Sequence, residues 1–257
     1  MTNRHREFMS DSYGAPATNE GNGMTKRVLT LCIFLCLIAS AAVVASVGVG
    51  GAQAHRSGFS ANVDNPWFPL VPGTRYAYQG VKDGKPSRGV MTVTHKTRTI
   101  DGAPCVVVQD RLYLKGHLGE RTTDWYTQDA KGNVWYFGES TAELDAQGHV
   151  TSRAGTWTAG VNGAKPGIYM PADPHRYQSG RQEYRKGQAE DHYKVVGLFR
   201  TVSPAGPQTV VLTQEWSPLE PGVLDHKMYA RGIGVILEQA EKGPQERNEL
   251  VGVRHVK

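Results

Sequence analysis

Short runs rich in Val, Thr, Tyr and Trp alternate with Gly, Pro, Asn and Asp along most of the chain. After residue 54 no stretch of ten or more residues carries a 3.6-residue apolar period. The pattern predicts strands over Thr74–Gln79, Val90–Ile100, Cys105–Leu114, Thr122–Gln128, Val134–Glu139, His192–Val202, Thr209–Trp216, His226–Ala230, Val235–Gln239 and Leu250–Val256. In the second of these, Met91, Val93 and His95 share one face and Thr92, Thr94, Lys96 and Arg98 the other, as in a half-buried antiparallel strand. His95 falls on the apolar phase and is expected as a buried, hydrogen-bonded histidine.

The clearest hairpin joins Asp124-Trp125-Tyr126-Thr127-Gln128 to Val134-Trp135-Tyr136-Phe137-Gly138-Glu139 through a turn whose chemistry comes from Asp129, Gly132 and Asn133. Folding about that turn brings Asp124 opposite Glu139, or one residue out of register with it. The turn occurs once, with no 40-residue period, which excludes a β-propeller. Between residues 160 and 191 the alternation stops. The chain there is Gly- and Pro-rich, yet Ile168, Tyr169, Met170 and Tyr177 argue against disorder, so a flap packed over the sheet is expected. The predicted fold is therefore mainly β: a single antiparallel, strongly curved sheet or incomplete β-barrel with a long Gly/Pro-rich flap. The missing helices exclude parallel α/β.

Ahead of the strands, Lys26 and Arg27 lead into an apolar run at 28–49 that ends near Ala52-Gln53-Ala54. A basic start, an apolar stretch and a small-x-small site are what export and signal peptidase require. Residues 1–54 are read as an N-terminal extension plus signal peptide or membrane anchor, with Met1 and Met24 both open as the start, and residues 55–257 as one exported β domain. The run is long for a signal and long enough to span a bilayer. Either cleavage after Ala54 or an uncleaved anchor places the rest outside the cytoplasm, and the membrane is expected to be touched only through residues 28–49. Cys32 and Cys36 lie in this segment. The exported part keeps only Cys105, which rules out an intramolecular disulfide and reads as a small buried hydrophobe.

The charge is +5 from 29 Lys+Arg against 24 Asp+Glu. It is scattered and comes with no nucleic-acid-binding signature, so no nucleic-acid partner is expected. A G-x-S-x-G elbow, a phosphate-binding loop and an H-E-x-x-H pair are all missing, and Gly232-Ile233-Gly234 reads as a bend between two strands. The residues that could carry acid/base chemistry are Asp124, Glu139, Glu183, Glu190 and Asp191, with His192 beside them. No ligand spacing defines a metal site, so no cofactor is expected, with a divalent cation such as calcium the alternative. All five tryptophans lie after residue 54. Among the aromatics, Trp125, Trp135, Tyr136, Trp157, Tyr169 and Tyr184 are candidates to line a ligand cavity, against the plainer role of filling a core.

Asn65-Pro66-Trp67-Phe68-Pro69-Leu70-Val71-Pro72-Gly73-Thr74, the Asp124–Glu139 hairpin and Gly155-Thr156-Trp157-Thr158-Ala159-Gly160-Val161-Asn162-Gly163-Ala164 resemble an uncharacterised family of exported bacterial β-rich proteins. Gln182-Glu183-Tyr184, Ala189-Glu190-Asp191 and Tyr229-Ala230-Arg231-Gly232-Ile233-Gly234-Val235 extend the resemblance over residues 65–240. It implies export and a shared fold, and no activity. The opening Pro-Leu-x-Pro-Gly-Thr also looks like the start of exported β-sheet lipoproteins that cradle apolar ligands. Three function classes remain: an extracytoplasmic non-enzymatic binding protein for a small, partly apolar or lipid-like molecule; an acid/base or metal-assisted enzyme; and a cell-envelope structural or interaction module.

Overall fold

A computed structural model describes residues 58–203 and 206–256. The export segment, Cys32, Cys36 and the Ala52-Gln53-Ala54 site lie outside the described residues. All regular structure among the described residues is β. A short β1 (Phe59–Ser60) precedes a meander of β2 (Thr74–Lys82), β3 (Lys85–Ile100), β4 (Ala103–Leu114), β5 (His117–Asp129) and β6 (Val134–Leu144). Short strands follow: β7 (Val150–Ser152), β8 (Trp157–Thr158), β9 (Lys165–Met170), β10 (Ser179–Arg181) and β11 (Glu183–Tyr184). A second meander comprises β12 (His192–Ser203), β13 (Gly206–Trp216), β14 (Leu224–Ala230), β15 (Gly234–Lys242) and β16 (Glu246–His255).

Each of the ten strands expected from the sequence has a counterpart here, and most run further than the pattern predicts. The extra length comes from the turns. Asp83-Gly84, Asp101-Gly102 and Lys115-Gly116 each place two successive residues at positive φ, the two-residue turn whose twist matches that of the flanking strands. The ladders therefore continue to the turn itself, as in Lys82↔Lys85, Ile100↔Ala103 and Leu114↔His117.

The last strand closes on the first: β16 pairs antiparallel with β2, which joins the two meanders into one sheet running from β10 through β12 and β2 to β6, β9 and β11. The sheet's two end strands, β10 and β11, are consecutive in the chain and separated only by Gln182. The barrel therefore closes through a covalent link, leaving a seam where a ladder would be. An ideal Cβ on Gly167 of β9 would lie 2.2 Å from the Arg181 carbonyl oxygen, so only a glycine lets the closing segment lie this close. The stretch expected as a flap thus supplies β9 to β11, the elements that close the sheet.

One end of the barrel is apolar and the other acidic, and single strands show the changeover. The inward residues of β4 are Val106, Val108 and then Asp110, facing Tyr126, Asp124 and Thr122 of β5 in register. Phe68 plugs the apolar end, its ring 5.4 Å from Tyr126 and 4.7 Å from Tyr169. Asn65 holds that plug in place. Its Oδ1 accepts from the Trp67 N–H (2.8 Å), and its Nδ2 donates to the Gly132 and Pro171 carbonyls (2.9 and 3.0 Å).

Cys105 is fully buried, as expected, and burial pushes its thiol up to about 12. His95 is a correction: it is exposed. The β3–β4 register breaks between Val93 and Thr97, where the Gly73 N–H takes the Val93 carbonyl (2.8 Å). The residues between leave the ladder, and the two-residue phase that put His95 inside is lost.

Candidate functional site

The acidic half of the barrel holds a cavity of about 230 Å³ whose wall draws on both meanders and on the closing segment. Asp124 and Glu139 are directly opposite one another on β5 and β6, and both line it. They do so because of a bulge. Trp125 pairs with Gly138, but the next pair is Tyr126 with Tyr136. Tyr136 and Glu139 consequently both face inward, while the intervening Phe137 packs against Phe59 outside (5.4 Å). Gly138 has φ +136, and an ideal Cβ there would lie 2.5 Å from the Trp157 carbonyl oxygen of β8. Backbone conformation and strand contact both require glycine at the bulge.

Glu183 of β11 and Asp191, just before β12, enter from the seam; Asp110 and Glu120 enter from β4 and β5. Phe68, Tyr126, Tyr136 and Tyr169 supply the apolar wall. Tyr126 and Tyr136 are stacked at 4.7 Å with 17° between planes, and Tyr169 stands edge-on to both.

The carboxylates fall into two groups. Glu215, buried beside Gln182, accepts from Thr213 Oγ1 (2.8 Å), Tyr229 Oη (2.9 Å) and Gln182 Nε2 (3.3 Å), and it pairs with Lys227 Nζ (3.0 Å). Lys227 also reaches Glu238 (3.2 Å). Burial works against the Lys227 charge, yet these two acids hold its ammonium well above the usual lysine range. The second group has few partners. Burial pushes Asp124 up to about 7, although the Tyr136 hydroxyl donates to its Oδ1 (2.7 Å). Asp110 is likewise pushed up to about 7, by burial and then by Glu120. Glu139 is driven well above the carboxylate range by burial, Glu183 and Asp124. Burial and Asp191 drive Glu183 the same way, against the bond from Trp157 Nε1 (2.6 Å). Among the described residues no three His, Cys, Asp or Glu side chains converge as metal ligands.

Of the residues expected from the sequence, the structure brings Asp124, Glu139, Glu183, Asp191, Tyr136 and Tyr169 to this cavity. The others sit elsewhere. The Glu190 carboxylate accepts from the Gly187 N–H (2.7 Å). His192 stacks on Trp216 at 5.7 Å, with its Nδ1 2.8 Å from the Glu190 carbonyl. Trp125 lies under the Arg98 guanidinium (4.3 Å), and Tyr184 under that of Arg181 (4.3 Å). Trp135 donates to Asp129 (2.9 Å), the carboxylate that also binds the Lys131 and Asn133 N–H groups of the turn. Trp157 is buried behind Glu183 and orients it.

Sequence reading missed Asp110, Glu120, Tyr126, Lys227, Glu238 and Asn248, which also line the cavity. A signal existed for Asp110: it stands two and four residues after Val108 and Val106, a charge on an apolar phase. Lys227 and Asn248 carry no comparable local mark.

Fold and site together define an antiparallel β-barrel with an acidic, tyrosine-lined interior. Neither a protein-family model nor a curated protein matches the sequence. Solved structures similar to this chain include a Bacteroides fragilis protein described as exported and of YmcC-like fold, 17% identical, covering 73% of this chain and 98% of that one at a TM-score of 0.42. Another, from Parabacteroides distasonis and described as a lipoprotein, is 11% identical and covers 74% and 99% at a TM-score of 0.40.

Proposed function

We propose that this chain is an extracytoplasmic, non-enzymatic binding protein that holds a small, partly apolar ligand inside the barrel. The observation that carries this reading is the cavity of about 230 Å³ in which stacked tyrosines meet carboxylates. Such a mixture of aromatic faces and a few convergent polar groups is the usual make-up of a small-molecule site. A lipid tail suits it poorly, because carboxylates along the wall would lose hydration to hydrocarbon. The reading of an envelope structural module predicts a filled interior, and the cavity counts against it. The extracytoplasmic part rests on Lys26, Arg27, the apolar run at 28–49 and the Ala-x-Ala site. A broad thermal-shift screen of the protein purified from an exporting host tests the proposal. At least one small polar-apolar compound is expected to raise Tm in a saturable way, and a uniformly silent screen would contradict it.

A second reading is favoured by one observation: Asp124, Glu139, Glu183 and Asp191 share the cavity, where burial pushes Asp124 up toward the range in which a general acid or base works best. Turnover of chromogenic glycosides or esters by the wild type, abolished in Glu139→Gln, would support it. Equal background rates in both proteins would remove it.

A further inference from the structure

The cavity wall is rich in acceptors and short of donors. Asp124 and Glu183 are more than nine-tenths buried, at 8% and 4% exposure. Each accepts a single side-chain hydrogen bond through one oxygen, from Tyr136 and Trp157 respectively, which leaves the other oxygen unpaired among the described residues. Glu139 accepts none from the described residues. Across the cavity, Asn248 Oδ1 is buried with no partner. Lys227, the lysine of this wall, is already engaged between Glu215 and Glu238. Each of these atoms without a protein partner is an acceptor, and three of the four residues bearing them are acids whose oxygens, unlike Asn248 Oδ1, remain open to solvent.

Buried acids without a counter-charge take up either a proton or a cation. An inorganic divalent ion needs several oxygens converging on one point, which the described residues do not offer. An organic ammonium demands less geometrically, because it can donate to one carboxylate and be held by the charge of the others at longer range. It brings three donors and no acceptor, and its charge is attracted to aromatic faces of the kind that Tyr126, Tyr136 and Tyr169 present. A ligand carboxylate or phosphate would meet like charge. A cavity of about 230 Å³ lies below the usual range for drug-sized ligands, so the carbon body must be short.

We propose that the cavity binds a small protonated organic amine, with the ammonium donating to one of Asp124, Glu139 and Glu183 and attracted by the other two, and the carbon body against Tyr126, Tyr136 and Tyr169. This rests on the ligand-binding reading above and names its ligand class. The test is calorimetric titration of the purified exported protein at pH 8 with n-butylamine, benzylamine and 1,4-diaminobutane. Their neutral isosteres n-butanol, benzyl alcohol and 1,4-butanediol, the anion benzoate, and calcium chloride alone are run alongside. At least one amine is expected to bind ten times more tightly than its alcohol, with no benzoate binding. Glu139→Gln is expected to weaken the amine at least tenfold and leave the alcohol unchanged; Asp124→Asn serves the same purpose if that variant does not fold. Alcohols binding as tightly as amines would overturn the amine assignment and leave the ligand-binding reading standing. Calcium binding that displaces benzylamine would replace the amine with a metal. Silence from every compound, together with a silent thermal-shift screen, would overturn both.

Discussion

Inside one barrel, Glu215 is held by three donors and a lysine while Glu139 has none of these, and the acids short of donors set how the wall responds to pH. Asp110 and Asp124 are pushed up to about 7, and Glu139 and Glu183 are driven well above the usual carboxylate range, whereas unfolded carboxyls titrate at about 4. The folded state thus binds more protons than the unfolded state between about pH 4 and 7, so these acids make stability fall as pH rises through that window. Lys227, Glu120, Asp191 and Glu238 face the same space, and the raised Lys227 contributes stability that is lost only at alkaline pH. The ligand-free protein is expected to melt at a higher temperature at pH 5 than at pH 8. Asp124→Asn is expected to raise Tm at pH 8 and flatten the profile, by about 2–4 °C for each kcal/mol recovered. A Tm that climbs from pH 5 to pH 8 would contradict this. At this scale the sequence was half legible. The turn brought Asp124 to within one residue of Glu139, because a hairpin's register is local, and the bulge at Gly138 makes the pairing direct. Asp110, Lys227 and Asn248 meet that pair only through strands distant in sequence, and no local pattern fixes such neighbours.

A single bulge at Gly138 turns both Tyr136 and Glu139 inward, so the site depends on an element and not only on its side chains. Gly138→Ala would combine a positive φ with a Cβ 2.5 Å from the Trp157 carbonyl oxygen. In urea denaturation it is expected to lose about 1–3 kcal/mol through backbone strain, and more through the clash with β8. Gly116→Ala, also at positive φ but with nothing within 4 Å, is the control and should lose only about 1–2 kcal/mol. Equal losses would mean that the bulge is free to move. Asp129→Ala should also destabilise, because it frees the Trp135 indole and two turn N–H groups at once, by about 1 kcal/mol in all, since these donors are exposed or only part-buried and water can take the place of the carboxylate. The long strands were readable because period-two alternation survives in them. β9, β10 and β11 were not, being two to six residues long and pairing with β6 or β12 or with each other across intervening chain. His95 shows the same limit from the other side, since a register break in the middle of β3 is invisible to a phase count.

For the molecule as a whole, closure is what creates an interior. The β16–β2 ladder joins the meanders, and Gln182 links the sheet's two ends while its Nε2 donates to Glu215. Acids that would be ordinary on an open sheet are thereby gathered around one space. The sequence pattern led one to expect a β domain, but not that its charged residues would line the inside. On the ligand-binding reading this space exists to be occupied. The most direct measurement is the native mass of the protein purified at pH 8 from an exporting host, read beside the mass of the same sample after denaturation and an elemental scan. A stoichiometric organic adduct, small and basic, is expected, lost on denaturation and absent from Glu139→Gln. A bare native mass that no added amine increases, or a stoichiometric metal in place of the adduct, would contradict that reading.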